Sequence, residues 1–229
     1  LKFPSPLTVA SFKYHESTIR FWLNLGMGGA TLKTITKEVR NGNNTPRIQE
    51  LKQSSYPSLL NAMGLPGPGM EQFCNEISRW KIWSNHTPIG ISIGGHSTHD
   101  YCDAIDCILN KLPAHILSKV YFELNISCPN TPEGQNISKK PELLEPILIH
   151  LRDQSTIPCS VKVSPDQHDD ELKTTATICK KYSNMILNCG NTQYKTCSKV
   201  GLNDKAISIG GGGLSGAMLF ERTLEMVKL

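Results

Sequence analysis

Six short apolar, β-branched runs recur along this chain, and helix-like stretches lie between them. The runs are 6–12 (PLTVASF), 28–34 (GGATLKT), 89–95 (IGISIGG), 119–127 (KVYFELNIS), 159–164 (CSVKVS) and 185–191 (MILNCGN). HESTIRFWLNLG follows the first, DYCDAIDCILNKL the third, PELLEPILIHLRDQ the fourth and DDELKTTATICKKY the fifth. Such alternation is the mark of α/β folds, in which helices cover the faces of a parallel sheet. An open doubly wound sheet more often carries a phosphate loop after its first strand, and ASFKYHE contains no GxGxxG. The expectation is therefore a (β/α)8 TIM barrel. A closed barrel of this kind has eight strands. Six are legible before the chain runs out in the helix-like GAMLFERTLEMVKL, so two βα units are expected to be missing from a single barrel domain spanning 1–229.

Each run ends in polar or glycine-rich residues: Ala10-Ser11, Lys33-Thr34, Gly94-Gly95, Asn125 to Asn130, Lys162 and Asn188. The C-terminal ends of barrel strands are where such folds build their active sites. The densest junction is Asn125-Ile126-Ser127-Cys128-Pro129-Asn130, a thiol between two carboxamides. Proline after Cys128 favours an extended backbone there, and a thiolate can act as nucleophile, base or metal ligand. Without context, Cys128 could equally be a packed loop cysteine. Lys162 lies inside an apolar strand and needs a buried anion or a polar cavity, because an unpaired buried ammonium is costly. Lys33 repeats the arrangement, although a surface lysine would look the same. The Pro- and Gly-rich stretch 54–69, with Asn61 inside it, can bring backbone N–H groups close to a ligand. The run Gly210 to Gly213, continuing through Leu214, Ser215 and Gly216, reads as a phosphate-holding loop before a helix or as a mobile linker.

The remaining composition mostly excludes. A net charge of +4 with scattered basic residues gives no nucleic-acid patch. No segment approaches the roughly 18 apolar residues of a membrane span, and the N-terminus has no signal core. Eight cysteines form no CxxC pair and no zinc spacing. Reduced thiols and a cytoplasmic location are expected.

Taken in order, ATLKTIT with RNGNNTPR, NAMGLPGPG, ELNISCPN, VKVSP, ILNCGNT and GGGLSG resemble the dihydroorotate dehydrogenase family. The resemblance runs from about Leu7 to the C-terminus. It implies an FMN-binding α/β barrel that oxidises dihydroorotate to orotate in pyrimidine (UMP) synthesis. It makes Cys128 the base that takes the C5 proton, with Ser127 beside it and Lys162 at the flavin N1. It assigns substrate contacts to Asn61, Asn125, Asn130, Asn188 and the position of Cys189, with the backbone of Met63, Gly64 and Leu65 receiving the carboxylate. Flavin contacts fall to Ala10, Ser11, Lys33, Thr34, Asn125 and Lys162, and phosphate contacts to Ser215 and Gly216.

Two departures stand out. Cys189 occupies a position usually held by serine or threonine. Cys128 resembles the soluble branch, whereas membrane-bound, quinone-reducing members carry serine there; yet GLSGAMLFERT resembles the membrane-bound branch. The electron acceptor stays open among fumarate, a nicotinamide cofactor through a partner subunit, and quinone. Soluble members are often homodimers. Two other readings remain: an FMN barrel acting on another pyrimidine, like the dihydropyrimidine dehydrogenases, and a non-catalytic flavin-binding remnant.

Overall fold

All six apolar runs become strands of one parallel sheet. The computed structural model describes residues 1–52, 56–84, 86–126 and 134–229. In chain order they form β1 (Thr8–Val9), α1 (Glu16–Asn24), β2 (Gly29–Ile35), β3 (Ile48–Leu51), β4 (Ser58–Asn61), α2 (Met70–Ile77), β5 (Ile89–Ile93), α3 (Thr98–Lys111), α4 (Ala114–Leu117) and β6 (Val120–Asn125). The chain continues through α5 (Gly134–Lys139), α6 (Leu144–Gln154), β7 (Cys159–Val163), α7 (Asp169–Lys180), β8 (Met185–Cys189), β9 (Gln193–Thr196), β10 (Gly211–Gly216) and α8 (Phe220–Lys228). The parallel sheet has the order β1-β2-β5-β6-β7-β8. It forms a half-barrel of the TIM type, with β1 and β8 at its edges.

The two faces of this sheet have opposite chemistry because successive side chains of a strand point to opposite sides. One face is apolar: Leu32, Ile91, Phe122, Leu124, Val161 and Val163 are buried in the main core. Helices cover it with residues at helical spacing, namely Tyr101, Ala104, Ile105 and Ile108 of α3, and Leu144, Ile147, Leu148 and Leu151 of α6. Leu172, Thr175, Ile178 and Cys179 of α7 continue the layer. Helix starts are fixed locally. The Ser97 side chain accepts from the Asp100 amide, and Glu171 Oε2 accepts from His168 N at 2.8 Å.

The other face is polar. Tyr121, Glu123 and Asn125 alternate along β6, and Ser160 and Lys162 along β7, with Glu123 opposite Ser160 and Asn125 opposite Lys162. Lys162 is in turn opposite Asn188 on β8. A register shift between Leu32 and Ile35 on β2 lets both Thr31 and Thr34 bond to groups on this face. The Tyr121 ring lies across Gly90, and its hydroxyl meets Thr31 Oγ1 at 2.8 Å. Burial, and to a lesser degree the charge of Glu123, push the Tyr121 phenol up to about 12, against a lowering by the Thr31 hydrogen bond.

Four strands that carry no clear pattern in the sequence form a separate antiparallel sheet, β3-β4-β10-β9. Its small core joins Leu51, Leu60, Ala62, Cys197, Val200, Ile207 and Leu214. The glycine run is not a linker: it is a strand whose last residue, Gly216, caps a helical turn. Gly211–Gly216 is strand β10, paired with β4 on one side and β9 on the other, and a 3-10 turn over Ala217–Leu219 leads straight into α8 at Phe220. Glycine is required where β10 passes its neighbours: a Cβ on Gly213 would fall 2.0 Å from Thr192 Oγ1.

Gly90→Ala tests the packing of the inner face. Its Cβ would lie 2.5 Å from Tyr121 Cζ, and forcing an atom into such a space costs about 1–3 kcal/mol. A lowered midpoint of chemical unfolding is expected; an unchanged midpoint contradicts this packing.

Candidate active site at the strand ends

Lys162, Asn125 and Asn188 stand level on three adjacent strands, at or next to their C-terminal ends. Lys162 is 8% exposed and Asn125 6%. Lys162 Nζ donates to Ser11 Oγ at 3.2 Å, so the segment after β1 reaches across to β7. Beneath them lies Glu123, buried on the same face of β6. Its carboxylate accepts from Ser92 Oγ at 2.8 Å and from Asn188 Nδ2 at 3.1 Å, and Lys162 Nζ is 3.9 Å away. The bonds continue upward. Thr34 Oγ1 meets Ser92 Oγ at 2.8 Å and accepts from Asn125 Nδ2 at 3.0 Å, while Asn191 Nδ2 donates to Asn125 Oδ1 at 3.1 Å. Tyr101 ties down the same spot by donating to the Asn125 carbonyl at 2.8 Å. Below the network, a cavity of about 570 Å³ opens along Thr31, Tyr121, Glu123, Ser160 and Asn188.

The loop after β4 approaches from the side. Gly64 and Leu65 both have positive φ, +70° and +52°. For leucine this backbone is strained by on the order of 1–3 kcal/mol, a cost usually met where the geometry serves a function. The loop is held from below: Arg40 Nε donates to the Gly64 carbonyl at 3.2 Å, Asn43 N to the Met63 carbonyl at 3.1 Å, and Asn43 Nδ2 to the Ala62 carbonyl at 3.0 Å. Asn61, at the end of β4, donates to the Gly213 carbonyl at 3.2 Å.

The structure therefore gathers Ser11, Thr34, Asn125, Lys162 and Asn188 into one network. Lys33 is half-buried beside them, its amide bonded to the Lys13 carbonyl at 2.9 Å, and Ala10 is exposed at the turn after β1. Cys189 is not brought there. It follows Asn188 on an edge strand and so turns to the opposite face, where its thiol lies 3.9 Å from the Met226 carbonyl and burial raises its pKa. Asn191, two residues further on, enters the network instead. Ser215 and Gly216 sit in the antiparallel sheet opposite Leu59 and Ser58, with Ser215 Oγ 3.4 Å from the Leu59 carbonyl. Ser127, Cys128 and Asn130 lie outside the described residues, in the stretch that follows β6. The sequence reading missed Glu123, Ser92, Tyr101 and Asn191. Glu123 carries the same signal as Lys162, a charge within an apolar strand.

A family model described as dihydroorotate dehydrogenase matches residues 1–229. The chain belongs to the dihydroorotate dehydrogenase family. It is 32% identical over 234 residues to a protein of Rhodococcus opacus named dihydroorotate dehydrogenase (quinone), covering 100% of this chain and 63% of the relative. A protein of the same name from Corynebacterium glutamicum is 32% identical over 232 residues, covering 99% and 60%. The chain thus spans about three fifths of the length of these relatives. The same fold is found in the ligand-free dihydroorotate dehydrogenase of Eimeria tenella, with a TM-score of 0.77 at 20% identity over 97% of this chain and 67% of that one. The ferulenol complex of the Eimeria enzyme gives 0.76 at 20% identity, over 100% and 68%.

The donor set fits the ring end of a flavin of this family. One buried cation and two carboxamides stand at one level beside hydroxyls, which suits a flat ring edge bearing carbonyls and ring nitrogens. Lys162, Ser11 and Thr34 would hold that edge, and a cation placed there favours the reduced, anionic ring.

Thr34→Val tests the network. It keeps the shape but removes the oxygen that accepts from Asn125, and leaving a buried donor unpaired costs about 1–3 kcal/mol. Stability measured by urea unfolding is expected to fall by that amount; an unaltered value means that this network contributes nothing.

Proposed function

We propose that the protein oxidises dihydroorotate to orotate on bound FMN, as a step of pyrimidine synthesis. The observation that carries this reading is the level placement of Asn125, Lys162 and Asn188 at the strand ends of a half-barrel. Membership of the dihydroorotate dehydrogenase family supports it. Bound FMN would supply the acceptor for the hydride lost by dihydroorotate.

The chain's own groups do the rest. Cys128, as thiolate, would take the C5 proton of the substrate. Asn125 and Asn188, with Asn61 and Asn130, hold the pyrimidine ring, because a carboxamide can both donate to a carbonyl and accept from an N–H. The backbone of Met63, Gly64 and Leu65 receives the carboxylate; two successive residues of positive φ support that role. Lys162 would offset the negative charge that develops on the reduced ring. Ser215 and Gly216 would contact the phosphate, a role supported by the exposure of Gly216 and by β10 running past its last pairing with β9 at Leu214.

For the electron acceptor we favour a quinone, because the Rhodococcus and Corynebacterium relatives carry that word in their names. One observation favours a second reading: Cys128, which in the resemblance belongs to the soluble, non-quinone branch. Among the described residues no helix is long and apolar enough to cross a membrane. A cytoplasmic location belongs to this proposal, supported by seven described cysteines that are all free, as a reducing compartment keeps them.

Mixing dihydroorotate anaerobically with the purified full-length protein is expected to bleach the visible flavin absorbance. A yellow protein that does not bleach contradicts the substrate, and a colourless one contradicts the cofactor. Cys128→Ser is expected to slow that bleaching by about 10²- to 10⁴-fold at neutral pH, the usual worth of a positioned base; an undiminished rate removes Cys128 from the role. Mixing the bleached enzyme next with a soluble quinone analogue is expected to restore the colour faster than fumarate does. The reverse order would favour the soluble branch.

A further inference from the structure

Glu123 takes no part in the chemistry above, yet the polar bonds of the site run towards it. It is 2% exposed, on the inner face of β6 two residues before Asn125. An ionised carboxylate only accepts hydrogen bonds, so every polar neighbour must turn a donor to it. Ser92 gives its proton to Oε1 at 2.8 Å and Asn188 gives one of its amide protons to Oε2 at 3.1 Å.

The consequence spreads outward. With the Ser92 proton committed, the Thr34 hydroxyl must be the donor in their 2.8 Å contact. Thr34 Oγ1 is then the acceptor for Asn125 Nδ2 at 3.0 Å, and Asn125 Oδ1 accepts from Asn191 at 3.1 Å. From Asn191 through Asn125, Thr34 and Ser92, donors point one way and end on a single carboxylate. Bonds aligned in this manner polarise and strengthen one another. The Lys162 ammonium, 3.9 Å from Oε1, adds an opposite charge.

We infer that Glu123 is the positioning residue of the flavin-ring end of the site, setting which way the Asn125 and Asn188 carboxamides face and offsetting part of the Lys162 charge. The inference rests on the flavin reading of the preceding subsection. Strand cohesion alone does not require this residue, because replacing a buried ion pair by well-packed apolar groups is often neutral or stabilising. The sign of its effect follows from Coulomb's law. A carboxylate near the ring disfavours the reduced, anionic flavin and so holds the midpoint potential down. Removing that charge raises it.

The test compares full-length protein with Glu123→Gln, both saturated with FMN, by equilibrium redox titration and by orotate titration of the flavin spectrum. Glu123→Gln is expected to move the midpoint potential positive. It should also weaken orotate about tenfold, a small cost on the affinity scale, because an amide NH₂ then faces either Ser92 or Asn188 and the donors aligned on the carboxylate no longer all have an acceptor. Glu123→Asp keeps the charge and is expected to stay closer to the parent potential than Gln does. A residue that only fills space would give the opposite order, since Asp is the smaller. If Glu123→Gln binds FMN but its potential is unchanged or more negative, the inference is overturned while the functional reading stands. If the unmutated protein binds no FMN, the functional reading falls and the inference with it. Should Glu123→Gln not fold, Lys162→Gln is compared with Lys162→Gln/Glu123→Gln. The double variant is expected to be more positive, and equal potentials overturn the inference.

Discussion

Alternation along the strands is the constraint on which this molecule depends. Neighbouring parallel strands are in register, so one residue in two faces the helices and the other faces the half-barrel interior. Phe122, Leu124, Val161 and Val163 join the core, while Glu123, Asn125, Ser160 and Lys162 face inward. A slip of one residue on β6 or β7 would bury a carboxylate and an ammonium among leucines and turn core residues into the cavity. Register is therefore enforced from both sides: by apolar area outside and by hydrogen-bond and charge matching within. The same rule that stabilises the sheet also brings Asn125, Lys162 and Asn188 level.

Much of this was legible because the parallel strands are locally consistent. CSVKVS and IGISIGG are apolar and β-branched, sit between helical segments, and became β7 and β5 where they were expected. The antiparallel sheet was not legible. IQEL, SLLN, QYKT and GGGLSG lack alternation, and they are strands because partners far apart in sequence complete their backbone bonds. In GGGLSG, Gly211 to Gly213 answer to close approach, a reason invisible without the neighbour, while Gly216 also takes a positive φ of +116°. At the site, Lys162 was found by asking what a charge does inside an apolar strand. The same question put to KVYFELNIS would have found Glu123. Asn191 was hidden by the irregular segment after β8, where spacing along the chain no longer predicts facing.

By resemblance, the residues of this chain point to two branches of its family. Its relatives in Rhodococcus and Corynebacterium are named for quinone, whereas the thiol at position 128 is the base expected of the soluble branch. The difference is chemical rather than nominal. A thiol ionises far more readily than a hydroxyl, so a cysteine base needs less help from its surroundings near neutral pH. In the proposed arrangement the buried Glu123–Lys162 pair bears on the cofactor and the thiol on the proton.

In the proposed complex the network ending on Glu123 lies against the flavin and the pyrimidine. A crystal structure of the full-length protein with FMN and orotate tests it most directly. The account predicts the pyrimidine edge of the flavin within hydrogen-bond distance of Lys162 Nζ, and orotate held by the carboxamides of Asn125 and Asn188. A flavin bound away from the inner face of the parallel sheet, with Lys162 and Asn188 touching neither molecule, would contradict it.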